Sequence, residues 1–115
     1  MSESVLKVEI RKQDSIAIID LRGDVTSFAD EAINSSISSV DQEGFHKIVF
    51  NFTEVGYINS SGIAILIGIV TSLGNKGVMF KAYGLTSHFK KIFRMIGLTQ
   101  YVKVLGSETE ALAAF

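Results

Sequence analysis

The feature that most constrains the fold is a recurring change in the spacing of apolar residues, from every second position to every third or fourth. In residues 6–11, Leu6, Val8 and Ile10 alternate with charged residues, which predicts a half-exposed strand. The segment SIAIIDL, residues 15–21, is apolar on both faces and predicts a more central strand, antiparallel to the first. The chain is therefore expected to open with a hairpin.

Helical and strand patterns alternate through the rest of the chain. Gly23 is expected to end the second strand, and a helix with Thr26 or Ser27 as its N-cap is expected to run to Gly44. A strand is then expected over KIVFNF, with Ile48, Phe50 and Phe52 on one face, and a helix from the tetrapeptide NSSG to about Leu73. A strand over VMFKAY and a helix that Thr86 or Ser87 caps and Gly97 ends are expected next. The last expected elements are a strand over YVKVL and a terminal helix after a capping box at Ser107.

This order predicts a single α/β domain over residues 1–115. We expect a mixed β-sheet with an N-terminal hairpin, later strands parallel, and about four α-helices packed against it. Binding sites in such sheets favour the loops at the carboxyl ends of the strands. The loops Gly23–Thr26 and Tyr57–Gly62 are the candidates, and we expect them to be neighbours.

Composition excludes several functional classes. The net charge of −1 lacks the positive excess that binding to nucleic acid needs. The absence of cysteine and of a signal-peptide pattern at the N-terminus favours a cytoplasmic protein. The most apolar run, GIAILIGIV, is well short of the roughly 20 residues that span a bilayer, so we expect a buried helix and no membrane insertion.

Side chains able to perform catalysis or bind a metal are sparse. His46 and His88 lie far apart without a carboxylate at ligand spacing, so we expect no metal site. The G-x-S-x-G elbow of serine hydrolases is absent, which leaves no catalytic residue to propose. The basic positions Lys90, Lys91 and Arg94 are interpreted as a solvated helix surface, with a phosphoprotein or acidic partner as the alternative.

The tetrapeptide NSSG, Asn59 to Gly62, has two interpretations. Asn and Ser are preferred N-cap residues, so these side chains are explained by capping alone. However, one cap suffices, and Gly62 is a poor helix former in the first turn. A phosphate here would sit at a helix N-terminus, where free N–H groups and the helix dipole favour negative charge. The same position therefore suits a phosphorylation switch.

Three features together resemble the STAS domain family, in particular its single-domain bacterial anti-sigma factor antagonists. They are the loop GDVT after the second strand, the segment YINSSGIAILIG, and the later KAYGLTSHFKKIFRMIGL. The family signature is Asp-Ser-Ser/Thr-Gly followed by aliphatic residues at the start of the second helix. Its first serine matches Ser60, and the resemblance covers nearly the whole chain as one STAS-like domain.

The resemblance implies a regulator that acts by partner switching and is not an enzyme. The unphosphorylated antagonist binds an anti-sigma factor that is also a serine kinase, phosphorylation of the serine breaks that complex, and a serine phosphatase restores it. Ser60 is then the phosphoacceptor, and no cofactor is implied. The residues expected to shape the partner-binding site are Asp24, Thr26, Asn59, Ser61, Gly62 and Ile63.

Two positions depart from the family pattern. Asn59 replaces the usual aspartate before the acceptor serine, and Thr26 replaces an aspartate in the loop after the second strand. Fewer carboxylates reduce the repulsion that a phosphate at Ser60 would meet, but the same two changes remove acidic groups that a kinase or phosphatase could use. The alternatives are a constitutive STAS adaptor or scaffold subunit of a signalling or transporter complex, not switched at Ser60, and a small-ligand binding or weakly hydrolytic domain that uses the Asp24 and Ser60 loops.

Overall fold

The computed structural model of the protein describes residues 5–115, which contain five strands and four α-helices. The strands are β1 (Lys7–Gln13), β2 (Ile16–Val25), β3 (Lys47–Ile58), β4 (Met79–Tyr83) and β5 (Val102–Leu105). The helices are α1 (Asp30–Gln42), α2 (Ser60–Gly74), α3 (Ser87–Met95) and α4 (Glu108–Ala113). Short 3₁₀ turns precede α1 and β5, at Ser27–Ala29 and Leu98–Gln100.

The strands form one sheet whose spatial order is the order in sequence, β1-β2-β3-β4-β5. The β1–β2 pair is antiparallel and the remaining pairs are parallel. The expected α/β fold, with an N-terminal hairpin and a mixed sheet, is confirmed. Because β2 and β3 are parallel neighbours, their carboxyl ends meet at one edge of the sheet, where Val25 lies opposite Ile58.

The helices cover the two faces of the sheet unequally. The larger core lies between the sheet and α1, α2 and α3, and it buries Ile48, Phe50 and Phe52 together, as their alternation predicts. The smaller core lies on the other face, where Ala111 of α4 packs with Ile18, Val49 and Tyr83. Because both faces of the central strands are buried, β2 and β3 are apolar on both sides.

Two expected boundaries are wrong. Gly23 does not end β2, which continues to Val25, and β3 does not end at Phe52 but continues to Ile58. The pairing of β2 with β3 is irregular around Gly23, whose φ is +121°. A glycine inside a strand often marks such an irregularity rather than an end. The two strands therefore extend further toward α2 than their sequence patterns indicate.

Acidic and basic side chains are segregated along the chain and hence along the sheet. From Gly23 to His46, around α1, there are five Asp or Glu and no Lys or Arg. From Val55 to Ser107, around β4, α3 and β5, there are six Lys or Arg and no Asp or Glu. Since the strand order follows the sequence, one end of the sheet carries the acidic helix and the other carries the basic one.

Candidate functional site

The candidate site forms where the ends of β2 and β3 meet the start of α2. Asn59 is in an extended conformation between β3 and α2, and its backbone N–H donates to the carbonyl oxygen of Val25 at 3.2 Å. This bond ties the start of α2 to the end of β2. Asp24 lies opposite Tyr57 in the strand pairing, so the two predicted loops are neighbours, as expected.

Asn59 caps α2. Its side-chain oxygen Oδ1 accepts a hydrogen bond from the backbone N–H of Gly62 at 2.9 Å, and its carbonyl oxygen accepts from the N–H of Ile63 at 2.9 Å. An N-cap side chain satisfies one of the backbone donors that have no partner inside the helix. The capping interpretation of NSSG therefore applies to Asn59, and the two serines are not needed for it.

Ser60 is the first residue of α2 and is exposed, as is Ser61 beside it. Within residues 5–115, neither hydroxyl makes a hydrogen bond to another side chain or to the backbone. The backbone N–H groups of these two serines precede the first intrahelical bond, which Ile63 donates. Ser60 thus presents a solvent-accessible nucleophilic oxygen at the positive end of a 15-residue helix.

Gly62 explains why a poor helix former occupies the first turn. It is buried against the end of β2, and a Cβ added to it would lie 1.9 Å from the carbonyl oxygen of Val25. Real side chains do not approach a backbone oxygen so closely, so only glycine lets α2 pack against the end of β2 at this distance. Gly62 shapes the site through this contact rather than by adding flexibility.

The remaining predicted residues surround this helix start. Thr26 caps the 3₁₀ turn before α1 by accepting from the N–H of Phe28 at 3.2 Å, and α1 itself has no side-chain N-cap. Asp24 is half-buried near the end of β2. Ile63 is half-buried and packs against the larger core. All the predicted residues therefore lie on or beside the same edge of the sheet.

Sequence reasoning missed two exposed aromatic side chains at this edge. Phe28 in the 3₁₀ turn is 68% exposed, and Tyr57 near the end of β3 is 54% exposed. Large aromatic side chains at these exposures are frequent at protein interfaces. The signal in the sequence was the position of Phe28 before the regular apolar stripe of α1, which left it without a place in the core.

A groove of about 420 Å³ between α1 and α2 continues from this edge. On α2 it is lined in part by Ala64, Gly68 and Ser72, of which Ala64 follows Ser60 by four residues and is its neighbour on the same helix face. On α1 it is lined by Asp30, Asn34 and Asp41 among others. The groove thus begins at Ala64, one helical turn after Ser60, and presents small side chains of α2 opposite an acidic wall.

A second polar cluster lies in the half of the sheet that α4 covers. The buried carboxylate of Asp20 accepts from Arg11 Nε at 2.6 Å and from Asn51 Nδ2 at 2.8 Å. Glu108 of α4 accepts from the Tyr83 hydroxyl at 2.6 Å and from Arg11 at 2.5 Å. The Arg11 guanidinium is the main cause of the lowered pKa of both carboxyl groups, and burial raises the pKa of Tyr83 to about 12.

This cluster is structural. It links β1, β2, β3 and β4 to α4, and each of its buried polar atoms is paired, since residues 5–115 contain no buried side-chain nitrogen or oxygen without a hydrogen bond. Within the same residues there is no group of three His, Asp or Glu side chains placed to hold a metal ion. None of the described helices has the length and apolar character needed to cross a membrane.

Comparison with known proteins identifies the family. The STAS domain family model matches residues 7–111. The anti-sigma-B factor antagonist of Listeria monocytogenes is 21% identical over 106 residues, which cover 91% of this chain and 93% of that protein.

Solved structures share the fold. An anti-sigma factor antagonist from Mycobacterium paratuberculosis superposes with a TM-score of 0.82 at 18% identity, covering 95% of this chain and 92% of that one. The Bacillus cell fate determinant SpoIIAA in its phosphorylated form superposes with a TM-score of 0.71 at 23% identity, covering 95% of this chain and 97% of that one. With the family model spanning all five strands and the start of α4, the chain belongs to the STAS domain family.

Proposed function

We propose that this protein is a cytoplasmic anti-sigma factor antagonist that acts by phosphorylation-controlled partner switching at Ser60. In the unphosphorylated state it binds an anti-sigma factor that is also a serine kinase. Phosphorylation of Ser60 by that kinase dissociates the complex, and a serine phosphatase regenerates the binding form. The chain itself acts as substrate and ligand in this cycle and not as an enzyme.

The observation that carries the proposal is the division of roles between Asn59 and Ser60. Asn59 supplies the cap that α2 requires, so the Ser60 hydroxyl is exposed and makes no hydrogen bond within the described residues. A kinase can therefore reach this oxygen without unfolding the helix. The relatives support the assignment, because they are named anti-sigma factor antagonists and SpoIIAA has been solved in a phosphorylated form.

The surroundings of Ser60 support a switch that changes binding without changing the fold. A phosphate adds about −1.5 to −2 of charge and would be accepted by the helix N-terminus. The neighbouring helix α1 begins with Asp30 and Glu31, and no Lys or Arg occurs between Gly23 and His46. The added charge therefore meets no cation from that segment, and it increases the negative potential that a partner would meet.

The partner-binding surface that we propose combines two kinds of contact. The exposed rings of Phe28 and Tyr57 provide apolar area at the edge of the sheet where the ends of β2 and β3 meet the start of α2, here called the Ser60 edge. The groove between α1 and α2 begins on the same face of α2 and offers Asp30 and Asp41 to basic groups of a partner. A phosphate at Ser60 would be one helical turn from Ala64, the first α2 residue of the groove, so we expect its charge to weaken partner contacts at this groove.

The test compares Ser60→Ala and Ser60→Glu in calorimetric binding to the anti-sigma kinase encoded in the same genome. We expect Ser60→Ala to bind like the unmodified protein and Ser60→Glu to bind at least tenfold more weakly. Incubation with the kinase and ATP, followed by peptide mass spectrometry, is expected to place the phosphate on Ser60.

Ser87→Glu is the matched control. Ser87 is also exposed and also occupies the first position of a helix directly after an N-cap, since Thr86 accepts from the N–H of Phe89. This variant introduces the same charge in the same local setting on α3, and we expect unchanged binding. Equal binding by all three variants, with no phosphate on Ser60, would falsify the proposal.

The second candidate function is a constitutive STAS adaptor or scaffold subunit. Asn59 favours it, because the family pattern has a carboxylate next to the acceptor serine and this chain has an amide whose oxygen caps α2. An adaptor uses the same exposed aromatic residues without a switch. It predicts a stable complex whose affinity is the same for Ser60→Ala and Ser60→Glu.

A further inference from the structure

We propose that the groove between α3 and the free edge of β5 binds an extended acidic segment of a partner protein, which adds a sixth strand to the sheet. The groove, here called the β5 groove, has a volume of about 250 Å³. It is lined by Lys90, Arg94, Thr99, Val104, Leu105 and Gly106. It is separated from the Ser60 edge by β4, and this inference does not depend on the function proposed for Ser60.

The β5 groove has one cationic wall and one strand wall. Lys90 and Arg94 are four residues apart on α3, so they lie on the same face of that helix. Val104 and Leu105 are half-buried residues at the end of β5. A ligand in this groove would therefore meet two positive charges on one side and strand backbone with apolar side chains on the other.

The strand wall offers backbone hydrogen bonds. β5 is the last strand of the sheet, and among the described strands it pairs with β4 on one side only. The backbone N–H and C=O groups on its outer side are thus available to another strand. Addition of a strand at such an edge is an established mode of peptide recognition, in which main-chain bonds give affinity and side chains give specificity.

The cationic wall selects the sign of the ligand. The ion pairs among residues 5–115 involve Arg11, Lys12 and Arg22, so Lys90 and Arg94 have no ion-pair partner there. No Asp or Glu occurs from Val55 to Ser107 to neutralise them. Glu110 brings a carboxylate to the Gly106 end of the groove, where it would contact a Cβ on Gly106 at 2.8 Å and accepts from the Ser107 hydroxyl.

The spacing of the cations matches an extended peptide. Four residues of α-helix rise about 6 Å, which separates Lys90 from Arg94 along α3. Side chains on one face of a strand repeat every two residues, or about 6.6 to 6.8 Å. Acidic residues at alternate positions of an added strand would therefore face the two cations in turn.

Pairing with a second copy of this chain fits the β5 groove less well. Two β5 edges placed together would bring the Lys103 side chains and both cationic walls into proximity. On the other free edge, β1, the one carboxylate of the strand is that of Glu9, which is already paired with Arg22, so this edge offers no unpaired acidic residue to the cationic wall. The acidic residues of the chain are concentrated around α1, and a helix cannot supply the backbone bonds of a strand.

The probe for the test is an N-acetylated eight-residue peptide in which glutamate alternates with threonine. We expect it to bind the full chain, to shift the NMR signals of Lys90 and Arg94, and to slow amide hydrogen exchange along Val102–Leu105. A peptide with glutamine in place of glutamate is expected to bind at least tenfold more weakly. A peptide with alternate backbone nitrogens methylated keeps every charge but lacks the N–H donors for strand pairing. We expect it also to bind at least tenfold more weakly.

Protein variants separate the β5 groove from general charge attraction. The combined substitution Lys90→Glu and Arg94→Glu is expected to weaken peptide binding at least tenfold. Lys76→Glu, which changes an exposed cation in the turn after α2, is the control and is expected to change it less than twofold. Glu110→Gln removes the carboxylate near Gly106 and is expected to strengthen binding, while Ser60→Glu leaves it unchanged.

Several results would overturn the proposal. Equal binding by the methylated peptide, or an equal loss in Lys76→Glu, would mean that net charge alone attracts the peptide. Slowed exchange in β1 instead of β5 would place the peptide at the other edge. If the amides of β5 were protected from hydrogen exchange without peptide, and more so at higher protein concentration, the free edge would bind a second copy of the chain. If an equimolar oligothymidylate displaced the peptide, the two cations would bind nucleic acid.

Discussion

Gly62 and Val25 lie in such close contact that the carbonyl oxygen of Val25 occupies the space in which a side chain on residue 62 would begin. An ideal Cβ on Gly62 would be 1.9 Å from that oxygen. The same carbonyl accepts the N–H of Asn59, so one backbone group at the end of β2 fixes both the entry to α2 and its first turn. The position of Ser60 follows from these two contacts.

Gly62→Ala is therefore expected to destabilise the protein. Overpacking a core by one methyl group costs typically 1–3 kcal/mol, and here the atom that must move is backbone, so we expect a loss of about 3 kcal/mol in the free energy of unfolding. The control is Gly68→Ala in the same helix, where nothing lies within 4 Å of an added Cβ. Since alanine is the better helix former, that variant should gain about 1 kcal/mol. Urea denaturation measures both, and equal effects would contradict the close contact.

Asn59→Ala is expected to cost about 1 kcal/mol in the free energy of unfolding, because the N–H of Gly62 loses its capping acceptor. Ser60→Ala should change stability by less than about 0.5 kcal/mol, since the Ser60 hydroxyl makes no bond within the described residues. Asn59→Asp should retain the cap. Thermal and urea unfolding of the three variants measure this order, and a loss in Ser60→Ala as large as that in Asn59→Ala would show that Ser60 shares the capping role.

Arg11→Met is expected to lower the free energy of unfolding by about 1–3 kcal/mol at pH 7, because it leaves the buried Asp20 carboxylate without its charged donor. The expected loss is smaller than for a fully buried ion pair, because the Arg11 side chain is 45% exposed and solvent screens its charge. Lys12→Met is the control. Its ion pair with Glu43 is exposed on both sides, so a change of less than about 0.5 kcal/mol is expected.

The same cluster predicts a dependence on acid. Arg11 lowers the pKa of Asp20 and Glu108 below their ordinary values of 3.8 and 4.5. Their stabilising effect is thus complete above those values and is lost as the pH falls through the lower pKa of the folded state. Unfolding curves of the unmodified protein and Arg11→Met should therefore converge below about pH 4. A difference that stays constant from pH 7 to pH 3 would contradict this assignment.

Tyr83 should titrate above the ordinary pKa of a tyrosine. Burial raises its pKa to about 12 from an ordinary value of 10.0. Its contribution to stability is complete below pH 10 and is lost as the pH rises through the folded-state value. We expect the ultraviolet titration of tyrosinate to contain a step near pH 12 that Tyr83→Phe removes. Persistence of that step in the variant would contradict its assignment to Tyr83.

Most of the fold could be predicted because it depends on local periodicity. Strand alternation, helical stripes and caps at Thr86 and Ser107 are encoded within a few residues, and each has its counterpart in the structure. The predicted end of β2 is wrong because a glycine after an apolar run indicates a stop, whereas the strand passes through Gly23 with a change of register. A pattern cannot distinguish an irregular strand from a finished one without knowledge of its neighbour.

The location of the site was predictable from the sequence, but the separate roles of Asn59, Ser60 and Ser61 within it were less so. The meeting of two strand ends at the start of α2 follows from parallel topology, but three polar residues in succession could each have served as the cap. Only the approach of α2 to Val25 selects Asn59. The cluster around Asp20 escaped prediction because it joins Arg11 to Glu108, 97 positions away, although a charge inside the apolar segment SIAIIDL was a visible signal.

The separation of acidic α1 from basic α3 and β5 makes the charge of this nearly neutral protein asymmetric along its sheet. A charged partner approaching through solution experiences a torque before any contact forms, and oppositely charged faces are turned toward each other. The net charge of −1 conceals this effect. Partners of opposite sign can thus be steered to opposite ends of one small domain, at rates that fall as salt screens the field.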